Sequence, residues 1–258
     1  DAFQPRASDI VAHAAGAKSL LINSPNNPTG TVYSRATLEG IADVCKTHDL
    51  WLISDEVYDT QVWEGEHISP RALPYMAERT LVVGSMSKSH AMTGSRVGWV
   101  IGPEAVVESL INLATHTTYG VPGFIQDAST FALSQGPAFE KQIAAPFRRR
   151  REIAQDILAR QNTVGLIPAQ GAMYLMLDIR ATGMSGEEFA YALLDAHHIA
   201  VMPGKSFGES ALGHVRVAMT IEDGAFAAAL ETLCAFAEGL ATEYQRAVIV
   251  LHSAGENL

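Results

Sequence analysis

Lys88 stands in Gly84-Ser85-Met86-Ser87-Lys88-Ser89-His90, directly after the apolar run Leu81-Val82-Val83, and Arg96 follows in the same segment. An amine at a strand end, among small hydroxyl side chains and close to a second cation, is poorly suited to be a solvated charge and well suited to attack a carbonyl. The carbonyl that suits these neighbours is a phosphate-bearing aldehyde, with which the amine forms a Schiff base. By itself Ser-x-Ser-Lys reads as a surface charge just as readily. A nucleotide phosphate loop is excluded: its Gly-Lys-Ser/Thr follows four spacer residues, whereas here Ser87 precedes the lysine.

Three other windows carry groups that could work with such an amine. Ser24-Pro25-Asn26-Asn27-Pro28-Thr29-Gly30 is punctuated as a turn by Asn-Pro and Thr-Gly, and it follows the strand-like Lys18–Asn23. Leu50-Trp51-Leu52-Ile53-Ser54 delivers Asp55-Glu56-Val57-Tyr58-Asp59 at its carboxyl end. His214–Met219 sets Arg216 between Val215 and Val217 in an alternating strand, and an arginine buried there asks for an anion. Each has a plainer reading: Asn27 as a turn residue, Asp55 as a helix N-cap, Tyr58 as core, Ser87 as packing, Arg216 in a structural salt bridge.

The elements that must position these groups alternate. Strands are expected near 18–23, 50–54, 80–84 and 96–101. A helix over 34–48 has Leu38, Ile41, Ala42 and Cys45 at helical spacing and Ser34 as its N-cap. Alternation of strand and helix predicts an α/β fold with a mostly parallel sheet, and ligands of such sheets gather outside the carboxyl ends of the strands. Helical segments then dominate 104–161, with a break at 120–123. After Thr163 come a strand at 172–179, a helix at 185–197, strands at 199–203 and 214–220, and a helix at 222–240. The expected organisation is a large domain over 1–137, an interdomain helix over 138–161 and a smaller α+β domain over 162–258.

In their order and spacing, SPNNPTG at 24–30, SDEVYD at 54–59, SMSKSHAMTGSRVGWVIGP at 85–103 and HVRVAM at 214–219 resemble the class I/II aminotransferases. These are fold-type I enzymes that use pyridoxal 5'-phosphate. Within them, the wording around Lys88 and Gly65-Glu66-His67-Ile68-Ser69-Pro70 is most similar to the arginine:pyruvate transaminase type. The resemblance implies that Lys88 holds the cofactor as a Schiff base and then moves a proton, serving as nucleophile and general acid/base. It implies that Asp55 pairs with the pyridine nitrogen and that Tyr58 and Asn27 bond the ring oxygen, with Asn27 also near substrate. Ser85, Ser87 and Arg96 fall on the phosphate-binding positions, and Arg216 on the clamp for the substrate carboxylate, where a planar fork of donors outdoes lysine. Tyr119-Gly120-Val121-Pro122 falls where the family's loop reaches toward a neighbouring subunit.

The implied reaction is a ping-pong transfer of an amino group from an amino acid to a 2-oxo acid, in a homodimer. A β-elimination lyase would share these residues, and a regulator with an aminotransferase-like sensor domain is a third reading. Chains of the family carry a long stretch before the Asn-Pro-Thr-Gly turn, which arrives here by residue 30. The expectation is therefore the C-terminal portion of a longer protein. If the polypeptide itself began here, it would hold the cofactor weakly and expose an apolar sheet edge.

Composition narrows the partners. With 18 basic against 28 acidic side chains the net charge is −10, the wrong sign for a nucleic-acid backbone, so Arg148–Arg151 is expected to be a solvated helix face. Cys45 and Cys234 suggest no disulfide framework and fit a cytoplasmic enzyme. No metal is expected, since His197-His198 lacks a Cys or Glu at ligand spacing. No membrane span is expected either, because no apolar run approaches the length needed to cross a bilayer.

Overall fold

The computed structural model describes the backbone of residues 3–255 and side chains as far as Arg246. The chain forms two compact units, one comprising residues up to Asn27, Thr31–Ala145 and Gln170–Ala172, the other Pro28–Gly30, Pro146–Ala169 and the chain from Met173 on.

In the first unit, α1 (Ala7–Ala14) precedes β1 (Ser19–Asn23), α2 (Arg35–Thr47), β2 (Trp51–Asp55), β3 (Thr80–Ser85), the single turn α3 (Met86–Ser89) and β4 (Gly98–Ile101). Strands β1, β2 and β3 are parallel neighbours in that order, with Asn23 opposite Asp55 and Asp55 opposite Val83; β4 runs antiparallel to β3. Parallel neighbours need a crossover, and α2 supplies the one between β1 and β2. Ser34 caps that helix, its Oγ accepting the Thr37 N–H at 3.1 Å. Leu38, Ile41 and Cys45 on α2 pack with Ile22, Leu50 and Leu52, closed by Leu73 and Met76. Burying side chains of this size contributes about 1.5–3 kcal/mol each.

Successive strand residues face opposite sides of a sheet, so Leu21, the neighbour of buried Ile22, points the other way. It is 66% exposed, and Trp51 (38%) and Val100 (40%) lie on the same side. The apolar exposure is therefore on a face of the sheet as well as at its β4 edge, where Ile101 is 50% exposed. Strand β4 starts at Gly98, later than expected, because Arg96 adopts a left-handed conformation (φ 52°, ψ 47°) that no strand continues. The β3–β4 pairing is close: a Cβ on Gly98 would lie 2.5 Å from the Gly84 carbonyl oxygen.

Helices α4 (Glu104–Thr117), α5 (Gly123–Ser134) and α6 (Pro137–Leu158) follow. The break expected at 120–123 falls slightly earlier, over 118–122, set by positive φ at Tyr119 and Gly120; a second, at Gln135-Gly136, was not foreseen. Helix α6 stops at Leu158 because the Gln161 side chain folds back, its amide donating to the Leu158 carbonyl and its oxygen accepting from Thr163 and Val164 N–H.

The second unit adds β5 (Gly165–Leu166), β6 (Tyr174–Asp178), α7 (Gly186–His197), β7 (Met202–Pro203), β8 (His214–Ala218) and α8 (Asp223–Gly255). Its sheet is antiparallel in the order β5-β6-β8-β7. The strand expected at 199–203 shrinks to two residues on the sheet edge, where Pro203 has no N–H to offer. Leu175, Leu177 and Val215 from the strands meet Phe189 and Leu193 of α7 and Phe226, Leu230 and Leu233 of α8.

Two expectations are corrected here. Four consecutive arginines cannot share one helix face when each residue turns about 100° from the last. Arg151 is buried and donates to the Ala169 carbonyl at 2.6 Å, and Arg149 and Arg150 pair with Asp223 at 3.0 and 2.7 Å. Secondly, Asp223–Arg246 is long and apolar enough, at mean hydropathy 1.3, to cross a membrane by length and composition. Its apolar side chains Phe226, Leu230, Leu233 and Ala237 instead lie in the core of the second unit.

Candidate active site

Strand β3 ends at Ser85, and the chain turns at once into α3, which carries Lys88. Four residues lie far below the length at which a helix is stable alone. This turn is held by named groups. Ser85 Oγ accepts the Ser87 N–H at 3.0 Å and donates to Val97 O at 3.3 Å. Ser89 Oγ donates to Ser85 O, Thr93 Oγ1 to Ser87 O, and the Gln61 amide to Lys88 O, at 3.2, 3.0 and 3.5 Å. Main-chain N–H groups of His90 and Met92 both donate to Met86 O. Lys88 is half-buried, whereas Lys18, Lys46, Lys141 and Lys205, the remaining lysines of the chain, are exposed. Its Nζ lies 6.0 Å from the centre of the buried Tyr58 ring.

On the neighbouring strand, Asp55 is the last residue of β2 and half-buried, with Oδ1 accepting the Val57 N–H at 3.2 Å. Burial pushes its carboxyl above the usual range; the like charge of Glu56 adds to this and the Val57 hydrogen bond opposes it. The next residue, Glu56, is buried, accepting from Ser69 Oγ at 2.8 Å and pairing with His67 Nε2 at 2.9 Å. At the end of β1, the Asn23 amide donates to Asp55 O at 3.1 Å and its side-chain oxygen accepts the Asn27 N–H at 2.7 Å. One asparagine thus ties the Asn27 turn to the strand that carries Asp55.

The expected residues Asn27, Asp55, Tyr58, Ser85, Ser87, Lys88 and Arg96 all belong to the first unit, with Asp55 and Ser85 at the carboxyl ends of adjacent parallel strands. Arg96 is exposed, its Nη1 donating to Thr93 O at 3.0 Å. The Ser87 hydroxyl makes no hydrogen bond among the described residues, whereas Ser85 spends its proton on Val97 O. Arg216 belongs to the second unit, on β8 between Met176 of β6 and Met202 of β7. It is half-buried rather than buried, its guanidinium carbon 4.5 Å from the Tyr174 ring centre and 5.0 Å from that of Phe207.

Sequence reasoning missed Asn23, Gln61, Glu56 and the aromatic pair Tyr174 and Phe207. Asn23 carried a signal, a polar residue closing an apolar strand; Gln61 and Phe207 carried none, since their roles arise from distant contacts.

A half-buried amine, a carboxylate and a phenol thus gather at the carboxyl edge of a mostly parallel sheet, the place where α/β folds hold their ligands. The chain belongs to the aminotransferase class I and II family, whose profile matches residues 3–233. It is 45% identical over 222 residues to the arginine–pyruvate transaminase AruH of Pseudomonas aeruginosa, an alignment covering 85% of this chain and 56% of that protein. Among solved structures it resembles the Thermus thermophilus aspartate aminotransferase with maleate (TM-score 0.84, 33% identity), covering 90% of this chain and 60% of that one. It also resembles the aromatic aminotransferase of Pyrococcus horikoshii (TM-score 0.82, 32% identity), covering 86% and 60%. The chain therefore spans a little over half the length of these relatives.

The family depends on pyridoxal 5'-phosphate, and the donor set of the first unit fits that group in kind. The amine suits its aldehyde, a carboxylate its ring nitrogen, a phenol its ring oxygen, and hydroxyls with a guanidinium its phosphate.

Proposed function

We propose that this chain carries the reactive lysine of a pyridoxal phosphate-dependent aminotransferase, which moves an amino group from an amino acid to a 2-oxo acid in two half-reactions. The observation that carries this reading is Lys88: alone among the lysines in being half-buried, and fixed by side-chain hydrogen bonds on a single turn at the end of β3. When bound, the cofactor supplies an aldehyde and an electron-accepting cationic ring. Lys88 Nζ would bond it covalently and, once displaced, carry the proton at the substrate α-carbon.

Asp55 would meet the ring N–H; an opposite charge there offsets the burial that raises its carboxyl. Tyr58 and Asn27 would bond the ring oxygen. Ser87 and Arg96 would hold the phosphate, joined by Ser85 if its hydroxyl leaves Val97 O. Arg216, braced by Tyr174 and Phe207, would orient the substrate carboxylate, and by the family resemblance Asn27 would also bind substrate. In this reading 1–137 is the cofactor-binding domain, 138–161 the connector and 162–258 the smaller domain, in a cytoplasmic homodimer. Cys45 and Cys234 are free and buried, their thiols pushed up to about 11 by burial, which makes them poor nucleophiles.

The relatives named above are all aminotransferases, which favours amino transfer over elimination or a sensor role. Likeness to an arginine–pyruvate transaminase ranks a basic amino acid with pyruvate first among substrates. The test is an absorption spectrum with added pyridoxal phosphate, before and after borohydride, for wild type and Lys88→Ala. A visible band in wild type that borohydride abolishes while leaving the cofactor covalently attached to Lys88, and that Lys88→Ala lacks, supports the reading. Trapping spread evenly over exposed lysines overturns it.

A further inference from the structure

His90 directly follows the turn that carries Lys88, and nothing above gives it a task. It is 5% exposed, and its ring lies 5.9 Å from that of Phe139 on α6. Nδ1 is 2.8 Å from Ser89 Oγ, and Nε2 is 3.8 Å from Glu140 Oε1, also on α6. Nε2 is buried and makes no hydrogen bond at that distance. Ser89 Oγ in turn donates to Ser85 O, the carbonyl at the start of the lysine turn. A line of polar groups therefore runs from Glu140 through His90 and Ser89 to the N-cap of α3.

Counting protons shows what this line can do. A hydroxyl has one hydrogen, and that of Ser89 is spent on Ser85 O. The contact between Ser89 and His90 must then be donated by His90 Nδ1–H. In a neutral ring this leaves Nε2 as a lone pair facing a carboxylate, which repels it. If Nε2 carries the hydrogen instead, it faces Glu140 favourably, but Ser89 must turn its hydroxyl to Nδ1 and release Ser85 O. All three contacts are satisfied together only when both ring nitrogens carry hydrogens. The hold on Ser85 O is therefore coupled to one proton on His90.

We propose that His90 is a positioning residue for Lys88: the line Ser85–Ser89–His90–Glu140 is a proton-sensitive tether that fixes the lysine turn against α6. This rests on the reading of Lys88 as the reactive amine. Glu140 on α6 faces the ring at 3.8 Å, and Lys88 stands two residues before His90 in the chain. Asp59 belongs to the same electrostatic neighbourhood. Although open to solvent it is crowded by protein, and this desolvation, with the like charges of Glu140 and Glu56, raises its carboxyl against the pull of His67.

The experiment treats the full chain with pyridoxal phosphate and borohydride from pH 5 to pH 9 and measures labelling of each lysine by peptide mass spectrometry. The exposed lysines serve as references within each molecule. H90F is expected to lower Lys88 labelling about fivefold or more relative to them, and E140Q to move the acid-side inflection of its pH profile. H90N, whose amide still reaches Ser89 but not Glu140, should restore most of the labelling and lack that inflection. Profiles for H90F and E140Q that follow wild type at every pH overturn the proposal. Wild-type labelling with no preference for Lys88 sinks the reading of the lysine itself. In that case hydrogen exchange, measured without cofactor, decides the tether: faster exchange of the Met86–Met92 amides in H90F supports it, and unchanged exchange overturns it.

Discussion

Arg216→Lys keeps the charge and removes the geometry. A lysine makes one charge-assisted hydrogen bond to a carboxylate where the guanidinium fork makes two, a loss of about 1.5–3 kcal/mol. The guanidinium also lies 4.5 Å from the Tyr174 ring centre and 5.0 Å from that of Phe207. Stacking of this kind is worth about 0.5–1 kcal/mol per ring, and part of it is lost with a compact ammonium. The sum is about 2–4 kcal/mol, which at 1.4 kcal/mol per decade is roughly 30- to 1000-fold in kcat/KM. The assay follows the spectrum of cofactor-loaded protein after mixing with an amino acid, and separately with the corresponding amine lacking the carboxylate. The loss should appear with the amino acid only, and Phe207→Leu should cost about two- to fivefold through the weaker brace. An R216K protein within threefold of wild type, or an equal loss with the amine, refutes the carboxylate assignment.

Three further outcomes follow from the structure. Asp55 has a folded-state value raised by burial, so its ionisation disfavours the fold at neutral pH; Asp55→Asn should unfold at higher urea than wild type there while losing the cofactor. That advantage should shrink as pH falls through the raised value and vanish below the ordinary carboxylate range; a gap that widens toward acid contradicts the sign. Ser34→Ala removes the cap of α2 and should cost about 1 kcal/mol in a urea titration; no change would show that water replaces it equally well. Gly98→Ala sets a Cβ 2.5 Å from Gly84 O and should cost about 1–3 kcal/mol by forcing β4 away from β3, with faster hydrogen exchange at Gly98–Ile101 as the local check.

Sequence alone determined a good deal of this protein. Short continuous apolar runs located β1, β2 and β3, and the 3.6-residue spacing of Leu38, Ile41 and Cys45 located α2, because such patterns depend only on local order. The order of four short motifs pointed to the family. What sequence could not determine depends on distant partners. Arg151 is as basic as Arg148, and only its rotation on α6 buries it against Ala169. Nor does anything local say that Ser85 spends its hydroxyl on Val97, that Asn23 ties the Asn27 turn to β2, or that His90 faces Glu140 across fifty residues of chain. A hydrogen bond acts over about 3 Å, and only the folded chain decides which groups come that close.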